Sequence, residues 1–147
     1  IEPFEADDLI ICGMGGTLMT ELVSRAYWLK DPAKRLILQP QSHAEDIRGY
    51  LIHNGFKILY EDACTDSGKL YCAMAVEFTG EEREFSAAYP YTGELPKCGK
   101  PEAKEYLIKT KEHLAKKYEA QHDFGSAHEA ERLKLIIDET EALIDEM

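Results

Sequence analysis

The chain has 147 residues, of which 44% are hydrophobic and 31% charged, and its net charge at pH 7 is −11. This length and composition predict a soluble globular protein with one domain and at most a small appendage, and they exclude a disordered chain. The acidic excess argues against a protein that is wholly a nucleic-acid clamp, so any RNA contact must use local basic patches or residues outside this sequence.

A strand, a glycine cluster and a helix are the first predicted elements. Residues 9–12 are all apolar, which predicts a strand buried on both faces of a parallel sheet. Gly13-Met14-Gly15-Gly16 follows, and apolar residues then recur at helical spacing over residues 18–26. The glycine pattern matches neither G-x-G-x-x-G nor a P-loop, so it is either a ligand-binding turn or only a tight bend.

A second strand and a second helix come next. Residues 35–38 predict a strand that ends at Gln39-Pro40, and Ser42 with Glu45 predicts a capping box that starts the helix. The carboxyl ends of parallel strands form the ligand-binding edge of an open α/β sheet, so we expect the glycine cluster and residues 39–41 to lie together there. Gln39 is then either a hydrogen-bonding group of a cleft or a satisfied turn residue.

The remaining elements complete a sheet and add a helical tail. Residues 56–64 and 69–78 predict two strands, which must pair antiparallel because the turn between them is too short for a crossover. The predicted fold class is α/β, with the order β-α-β-α-β-β of the second half of a doubly wound sheet. Residues 79–100 predict a linker or a packed loop. Apolar spacings of three and four over residues 103–147 predict an antiparallel helical hairpin with a coiled-coil seam, and we divide the chain into domains at 1–96 and 97–147.

Some classes of site and location are disfavoured. The cysteines and histidines show no metal-ligand spacing, so we expect no metal site. No apolar run approaches the about 20 residues that a membrane helix needs, and the pattern of a signal peptide is missing. With its cysteines read as reduced, the chain is expected to be cytoplasmic and free of membrane contact. It begins with Ile1 rather than Met, so we expect a processed product or a piece of a longer protein.

Four stretches of the chain form an ordered set: DDLIICGMGG, RLILQPQ, IRGYLIHNGFKILYED and GKLYCAMAVE. The set resembles the later part of the bacterial tRNA (adenine(22)-N1)-methyltransferases. In that family an Asp-led strand ends in Gly-Met-Gly-Gly, the next strand ends in Gln-Pro-Asn, and a helical coiled-coil hairpin closes the chain. Gln41 stands where the family has Asn, and Leu70 and Cys72 replace the Phe and Glu that flank Tyr71.

The resemblance implies a Rossmann-like class I methyltransferase fold, S-adenosylmethionine as cofactor, and tRNA as the partner that is methylated at N1 of an adenine. It implies a catalytic cleft lined by Gly13, Met14, Gly15, Gly16, Gln39 and Pro40. Cofactor contacts would come from Cys12, Gly13 and Met14. Substrate contacts would come from Gln41 and from five lysines of the first C-terminal helix, Lys104, Lys109, Lys111, Lys116 and Lys117. The absent side chains of Gly15 and Gly16 would let a base lie against the backbone.

Two functions remain open. Family members begin with three more strands, which include the cofactor-binding loop and an acidic residue for its ribose, and no residue here matches them. We therefore expect the adenine side of the enzyme, inactive without its cofactor half. The alternative is a non-catalytic α/β interaction module, which dimerises through the exposed edge of its first strand. The lysines also have two readings, a basic stripe for tRNA or a solvated face balanced by glutamates.

Overall fold

The computed structural model describes residues 5–147, and Ile1, on which the expectation of a longer parent rests, lies outside the described residues. The strands and α-helices of this range are β1 Asp8–Met14, α1 Gly16–Arg25, β2 Arg35–Pro40, α2 Ala44–His53, β3 Phe56–Asp66, β4 Lys69–Phe78, α3 Tyr89–Thr92, α4 Pro101–Phe124 and α5 Ala127–Glu146. Short 3-10 helices cover Tyr27–Leu29 and Leu95–Lys97. The predicted order β-α-β-α-β-β is confirmed.

The four strands form one mixed sheet in the order β1-β2-β4-β3. β1 and β2 pair in parallel, whereas β4 pairs antiparallel with both β2 and β3. The α/β class and the antiparallel pairing of the last two strands are therefore confirmed. Because β1 and β2 are parallel neighbours, their carboxyl ends lie side by side at one edge of the sheet.

One face of the sheet carries the main core. Leu36 and Leu38 of β2 and Met74 and Val76 of β4 alternate toward this face and are fully buried. The helical side of the same cluster consists of Met19, Val23, Ile47 and Leu51. Burying one such side chain contributes about 2 kcal/mol, so the apolar stripes of α1 and α2 hold both helices on this face.

The opposite face is open near the first strand, and the expectation that this strand is buried on both faces is wrong. Ile10 is 67% exposed and pairs with Ile37, beyond which Ala75 and the 62% exposed Tyr60 continue the same face. The cause is the position of β1: among residues 5–147 it is an edge strand bonded only to β2, and α1 and α2 cover the other face. Four consecutive apolar residues do not distinguish this case from burial on both faces.

The last two helices run antiparallel, as predicted. Leu107 of α4 clusters with Ile144 of α5, and Leu114 clusters with Leu133 and Ile136, so contacts run down α5 as they run up α4. The base of this pair packs on the sheet, because the cluster of Leu107 also contains Ala63 of β3 and Cys72 of β4. The supercoil of a coiled coil and the division of the chain at residues 96 and 97 stay predictions.

The second half of the segment between β4 and α4 is packed, which confirms the packed-loop reading for residues 87–96, whereas residues 80–84 are exposed. Ala88, Thr92 and Leu95 are buried. Leu95 joins the cluster at the base of the helical pair, and Ala88 joins the cluster further along it. The segment thus connects the sheet to α4 and α5 through shared apolar contacts.

Candidate functional site

The loops that follow β1 and β2 are bonded to each other. The Gly13 N–H donates to Oε1 of Gln39 at 2.9 Å, and the Gln41 N–H donates to the carbonyl of Met14 at 2.9 Å. The expectation that the glycine cluster and residues 39–41 lie together is confirmed. Ligands of open α/β sheets bind at this edge of the sheet, which makes the paired loops the first candidate site.

Gly13 has a local reason to be glycine. Its φ is +79°, in the left-handed region that side chains other than glycine rarely adopt. The register with β2 shifts here, since Cys12 pairs with Gln39 and Met14 with Pro40. Gly13 is therefore a bulge, a feature common beside active sites because it turns the backbone away from the regular ladder. Gly13 is exposed, so a ligand that approaches it would contact the backbone rather than a side chain.

Gly16 serves the fold rather than an open cleft. It is buried, its N–H donates to the carbonyl of Ser42 at 2.7 Å, and a Cβ here would lie 2.0 Å from the backbone oxygen of His43. The hypothesis that a base lies in the space left by this missing side chain is wrong, because the chain's own backbone fills that space. A Cβ on Gly15 would meet Oγ of Ser42 at 3.1 Å, so this position is also tight.

The predicted capping box at Ser42 and Glu45 is absent. A capping box at these residues would make His43 the first residue of α2, but the helix begins one residue later, at Ala44. His43 is the N-cap residue; its backbone is left-handed, with φ +49°, and its side chain makes no capping hydrogen bond. The carbonyl of Ser42 is tied to Gly16, which holds the loop in a different path. Asp46 in the first turn instead accepts a hydrogen bond from Oγ1 of Thr17 at 2.6 Å and so joins α2 to α1.

Gln39 is bonded within the chain at both ends of its amide. Besides accepting from Gly13, it donates from Nε2 to the carbonyl of Pro40 at 3.3 Å. The structure therefore favours the interpretation of Gln39 as a turn residue whose amide is satisfied within the chain and which fixes the bulge. One further N–H remains on Nε2. Pro40 is buried, whereas Gln41 is exposed and places Nε2 3.8 Å from the position that a Cβ of Gly13 would take.

A cavity of about 550 Å³ opens beside Gln41. It lies between the tip of the β3–β4 hairpin and the first half of α4. Its lining includes three tyrosines from three elements, Tyr71, Tyr91 and Tyr106, and two lysines, Lys69 and Lys109. Of the predicted substrate-binding residues, Gln41 and Lys109 therefore lie at this cavity.

The five predicted lysines of α4 are divided between faces of the helix. At about 100° per residue, Lys109 and Lys116 share one side and Lys104 and Lys111 share another, about 140° away. Lys117 lies about 100° beyond Lys116. Lys109 pairs with Glu105, and Lys111 pairs with Glu141 of α5, both at 2.9 Å. They do not form a single stripe, and their contact with RNA stays a prediction.

A buried charge pair lies behind the cavity and was missed in the sequence. Arg48 and Glu61 have side chains that are 1% and 0% exposed, with Nη2 and Oε1 2.9 Å apart. Burial by itself would lower the pKa of Arg48, but the Glu61 carboxylate raises it above the ordinary value. Spacing was the signal available in the sequence: Arg48 lies on the apolar side of α2, with the apolar residues Ala44 and Ile52 four positions to either side.

The same pair holds the segment that carries Tyr91. Nη1 of Arg48 donates to the carbonyls of Pro90 and Tyr91, each at 3.2 Å. Oε2 of Glu61 accepts the Glu94 N–H at 2.6 Å. The backbone on both sides of Gly93 is thus bonded to one buried ion pair, and the cavity wall formed by α3 is fixed from behind.

Residues 5–147 contain no group of three or more His, Cys, Asp or Glu side chains able to hold a metal ion. Within the same part of the chain, every helix is too short or too polar to cross a membrane.

The chain is similar to known proteins in both sequence and fold. A family model described as a methyltransferase domain matches residues 1–74. The tRNA (adenine(22)-N(1))-methyltransferase of Bacillus subtilis strain 168 is 34% identical over 77 residues, which are 52% of this chain and 32% of that protein. The aligned part is therefore about a third of this relative's length.

Solved structures extend the likeness to nearly the whole chain. The Bacillus subtilis M1A22 tRNA methyltransferase TrmK matches with a TM-score of 0.75 at 25% identity, over 99% of this chain and 65% of that one. A Streptococcus pneumoniae protein described as a tRNA (m1A22) methyltransferase, solved with S-adenosyl-L-methionine, matches with a TM-score of 0.74 at 25% identity, over 98% and 63%. The Rossmann-like fold implied by the resemblance is confirmed, over less than two thirds of each relative.

Proposed function

Because the chain belongs to the methyltransferase domain family, whose model matches its first 74 residues, we propose that it forms the adenine-binding side of an S-adenosylmethionine-dependent tRNA (adenine-N1)-methyltransferase. The observation that supports this proposal best is the bulge at Gly13, which lies at the carboxyl ends of two parallel strands and is held by Gln39. The substrate is taken from the tRNA (adenine(22)-N(1))-methyltransferase to which 77 residues of the chain are 34% identical. We place the protein in the cytoplasm with its tRNA.

Transfer to N1 of adenine asks mainly for positioning. The ring nitrogen is neutral and attacks with its own lone pair, so no strong base is needed, and the product ring carries a positive charge. When bound, S-adenosylmethionine would supply the methyl group from its sulfonium sulfur, which keeps the electron pair of the broken S–C bond. This chain's part is to orient the base: backbone carbonyls at Cys12 and Gly13 accept from its amino group and stabilise the developing charge. The Met14 carbonyl, which already accepts the Gln41 N–H, offers its second lone pair. The base must leave its stack to reach them.

The cofactor would contact this chain without being held by it. Cys12 and Gly13 are exposed at the end of the edge strand β1, which fits a cofactor bound by a neighbouring strand. The cofactor-binding loop and the ribose-binding acid that the family resemblance leads us to expect are not among these residues. We propose that activity requires those strands, so that Cys12, Gly13 and Met14 supply only the near wall.

A chimaera tests the proposal. The matching C-terminal part of the Bacillus subtilis enzyme is replaced by this chain, and the product is incubated with unmodified tRNA transcript and S-adenosylmethionine. Nuclease digestion and mass spectrometry then measure 1-methyladenosine. We expect it to form at a single adenine. A chimaera that melts cooperatively and binds S-adenosylhomocysteine, yet forms no 1-methyladenosine, would contradict the proposal.

A second function has one observation in its favour. β1 is an edge strand, and Ile10 beside its open edge is 67% exposed, so another strand can add to the sheet there. In an interaction module that strand comes from a second copy of the chain. The oligomeric state of the isolated chain tests this reading.

A further inference from the structure

We propose that the cavity beside Gln41 binds an unstacked nucleotide of the RNA next to the methylated adenine. The inference rests on the proposed function and adds a second nucleotide site to it. The cavity volume of about 550 Å³ lies within the range of about 300–1,000 Å³ found for small-molecule sites.

Its walls suit a base. Tyr71 comes from β4, Tyr91 from α3 and Tyr106 from α4, so three elements contribute aromatic rings to one space. Proteins that read single-stranded RNA stack splayed bases on such side chains. A tyrosine phenol is neutral at pH 7 even with its ordinary pKa, so none of the three rings repels a phosphate.

The ring of Tyr106 and the backbone of Tyr91 are held in place before a ligand arrives. The Cys72 thiol donates to Oη of Tyr106 at 3.4 Å, and Nη2 of Arg48 lies 3.6 Å from Sγ of Cys72. Arg48 also bonds the carbonyl of Tyr91. One buried guanidinium thus fixes the segments that carry Tyr91 and Tyr106, and a pre-ordered wall loses less entropy when a base binds.

The rim offers partners for the rest of the nucleotide. Lys69 and Lys109 lie at the cavity with His113, and Glu45 is the one carboxylate among the described residues that line it. The two lysines provide the local positive charge that an acidic protein needs to bind a phosphate. Lys109 exchanges its exposed pair with Glu105 for the phosphate, which costs little because such pairs are weak. Glu45 accepts hydrogen bonds from the N–H groups of a base edge, which a lysine cannot do.

Position ties the cavity to the adenine site. Gln41 lines the cavity, and its Nε2 lies 3.8 Å from where a Cβ of Gly13 would be. The cavity and the adenine site are therefore separated by one side chain. So short a separation fits two neighbouring nucleotides rather than two distant parts of a tRNA. Gln41 is then a contact shared by both nucleotides.

Binding of a fluorescent, unmodified tRNA transcript by this chain tests the inference. We expect Lys109→Ala and Tyr71→Leu each to weaken binding about tenfold, as loss of a phosphate contact or a stacked base does. Lys134→Ala is the matched control, because Lys134 forms an exposed i,i+4 pair with Asp138 as Lys109 does with Glu105, but is not among the residues that line the cavity. It should leave binding unchanged, as should Tyr27→Leu at a 78% exposed ring.

Photo-crosslinking gives a second readout that does not depend on affinity. Transcripts carrying 4-thiouridine should form adducts on peptides containing Tyr71, Tyr91 or Tyr106. Equal effects of Lys109→Ala and Lys134→Ala, with adducts elsewhere, would overturn the inference and leave the proposed function standing. Failure of the unmodified chain to bind tRNA more tightly than it binds an unrelated RNA hairpin would overturn both.

Discussion

Arg48 and Glu61 are charged side chains inside the core, and each is bonded to backbone as well as to the other. A buried pair gains little over apolar residues of the same size, but one partner left alone is very costly, because its charge then has neither water nor a counter-ion. The carbonyls and N–H groups of residues 90–94 use both partners. The Arg48–Glu61 ion pair therefore determines whether the cavity wall formed by α3 is ordered.

Glu61→Gln should therefore lower the free energy of unfolding by about 3 kcal/mol, because Arg48 keeps its charge and loses its carboxylate. Urea denaturation followed by circular dichroism measures the change. Asp138→Asn breaks an exposed pair with Lys134 and should leave the denaturation midpoint unchanged. Equal midpoints for both variants would show that the buried pair has no special weight.

Tyr106 should make the fold sensitive to alkaline pH. Burial raises its pKa above the ordinary value of 10.0, so in the unfolded chain the phenol loses its proton at a lower pH than in the folded chain. Its contribution is therefore complete below about pH 10 and is lost as the pH rises further. We expect the melting temperature of Tyr106→Phe to fall less between pH 9 and 11 than that of the unmodified chain. The exposed Tyr27→Phe should follow the unmodified chain, and identical slopes for all three would contradict the assignment.

Helices, strands and loops differ in how far the sequence predicts them. Period-two and period-three-to-four patterns were sufficient for the element order, and parallel strand ends were sufficient to bring Gly13 and Gln39 together. The exposure of β1 was not predictable, because edge position is set by neighbours rather than by its own residues. The capping box at Ser42 failed for a similar reason, since Gly16 binds the carbonyl of that residue. The roles and the burial of the glycines became apparent only in the packed structure.

Two glycines in elements on the same core face should respond in opposite ways to alanine. Gly49 lies within α2 with nothing within 4 Å of an added Cβ, so Gly49→Ala should stabilise by about 1 kcal/mol through helix propensity and a less mobile unfolded chain. Gly16→Ala should destabilise by about 2 kcal/mol, because its Cβ meets the His43 backbone. Thermal melting of both variants measures this, and a stabilising Gly16→Ala would contradict the description of the loop contact.

The molecule as a whole leaves one sheet edge and much of one sheet face without a covering element from residues 5–147. The edge is that of β1, and the face runs from Ile10 through Ile37 to Tyr60. Unpaired edges with apolar neighbours recruit further strands. In the proposed enzyme the strands that hold the cofactor fill this place, and in the isolated chain it is vacant for a second copy.

We expect the isolated chain to dimerise at high micromolar concentration, and light scattering with size exclusion measures its mass. Ile10→Lys places a charge beside the open edge and should return a monomer, whereas Leu135→Lys, at a 51% exposed position on α5, should not. A monomeric unmodified chain at that concentration would contradict the edge contact.

The central claim is a division of the cleft: these residues form the adenine side, and the cofactor is held by strands that they do not include. Isothermal titration of the isolated chain with S-adenosylhomocysteine tests this most directly, with the Bacillus subtilis chimaera as the positive control. We predict binding by the chimaera and none by the isolated chain. Stoichiometric binding by the isolated chain would mean that it builds a cofactor pocket of its own, and the division proposed here would be wrong.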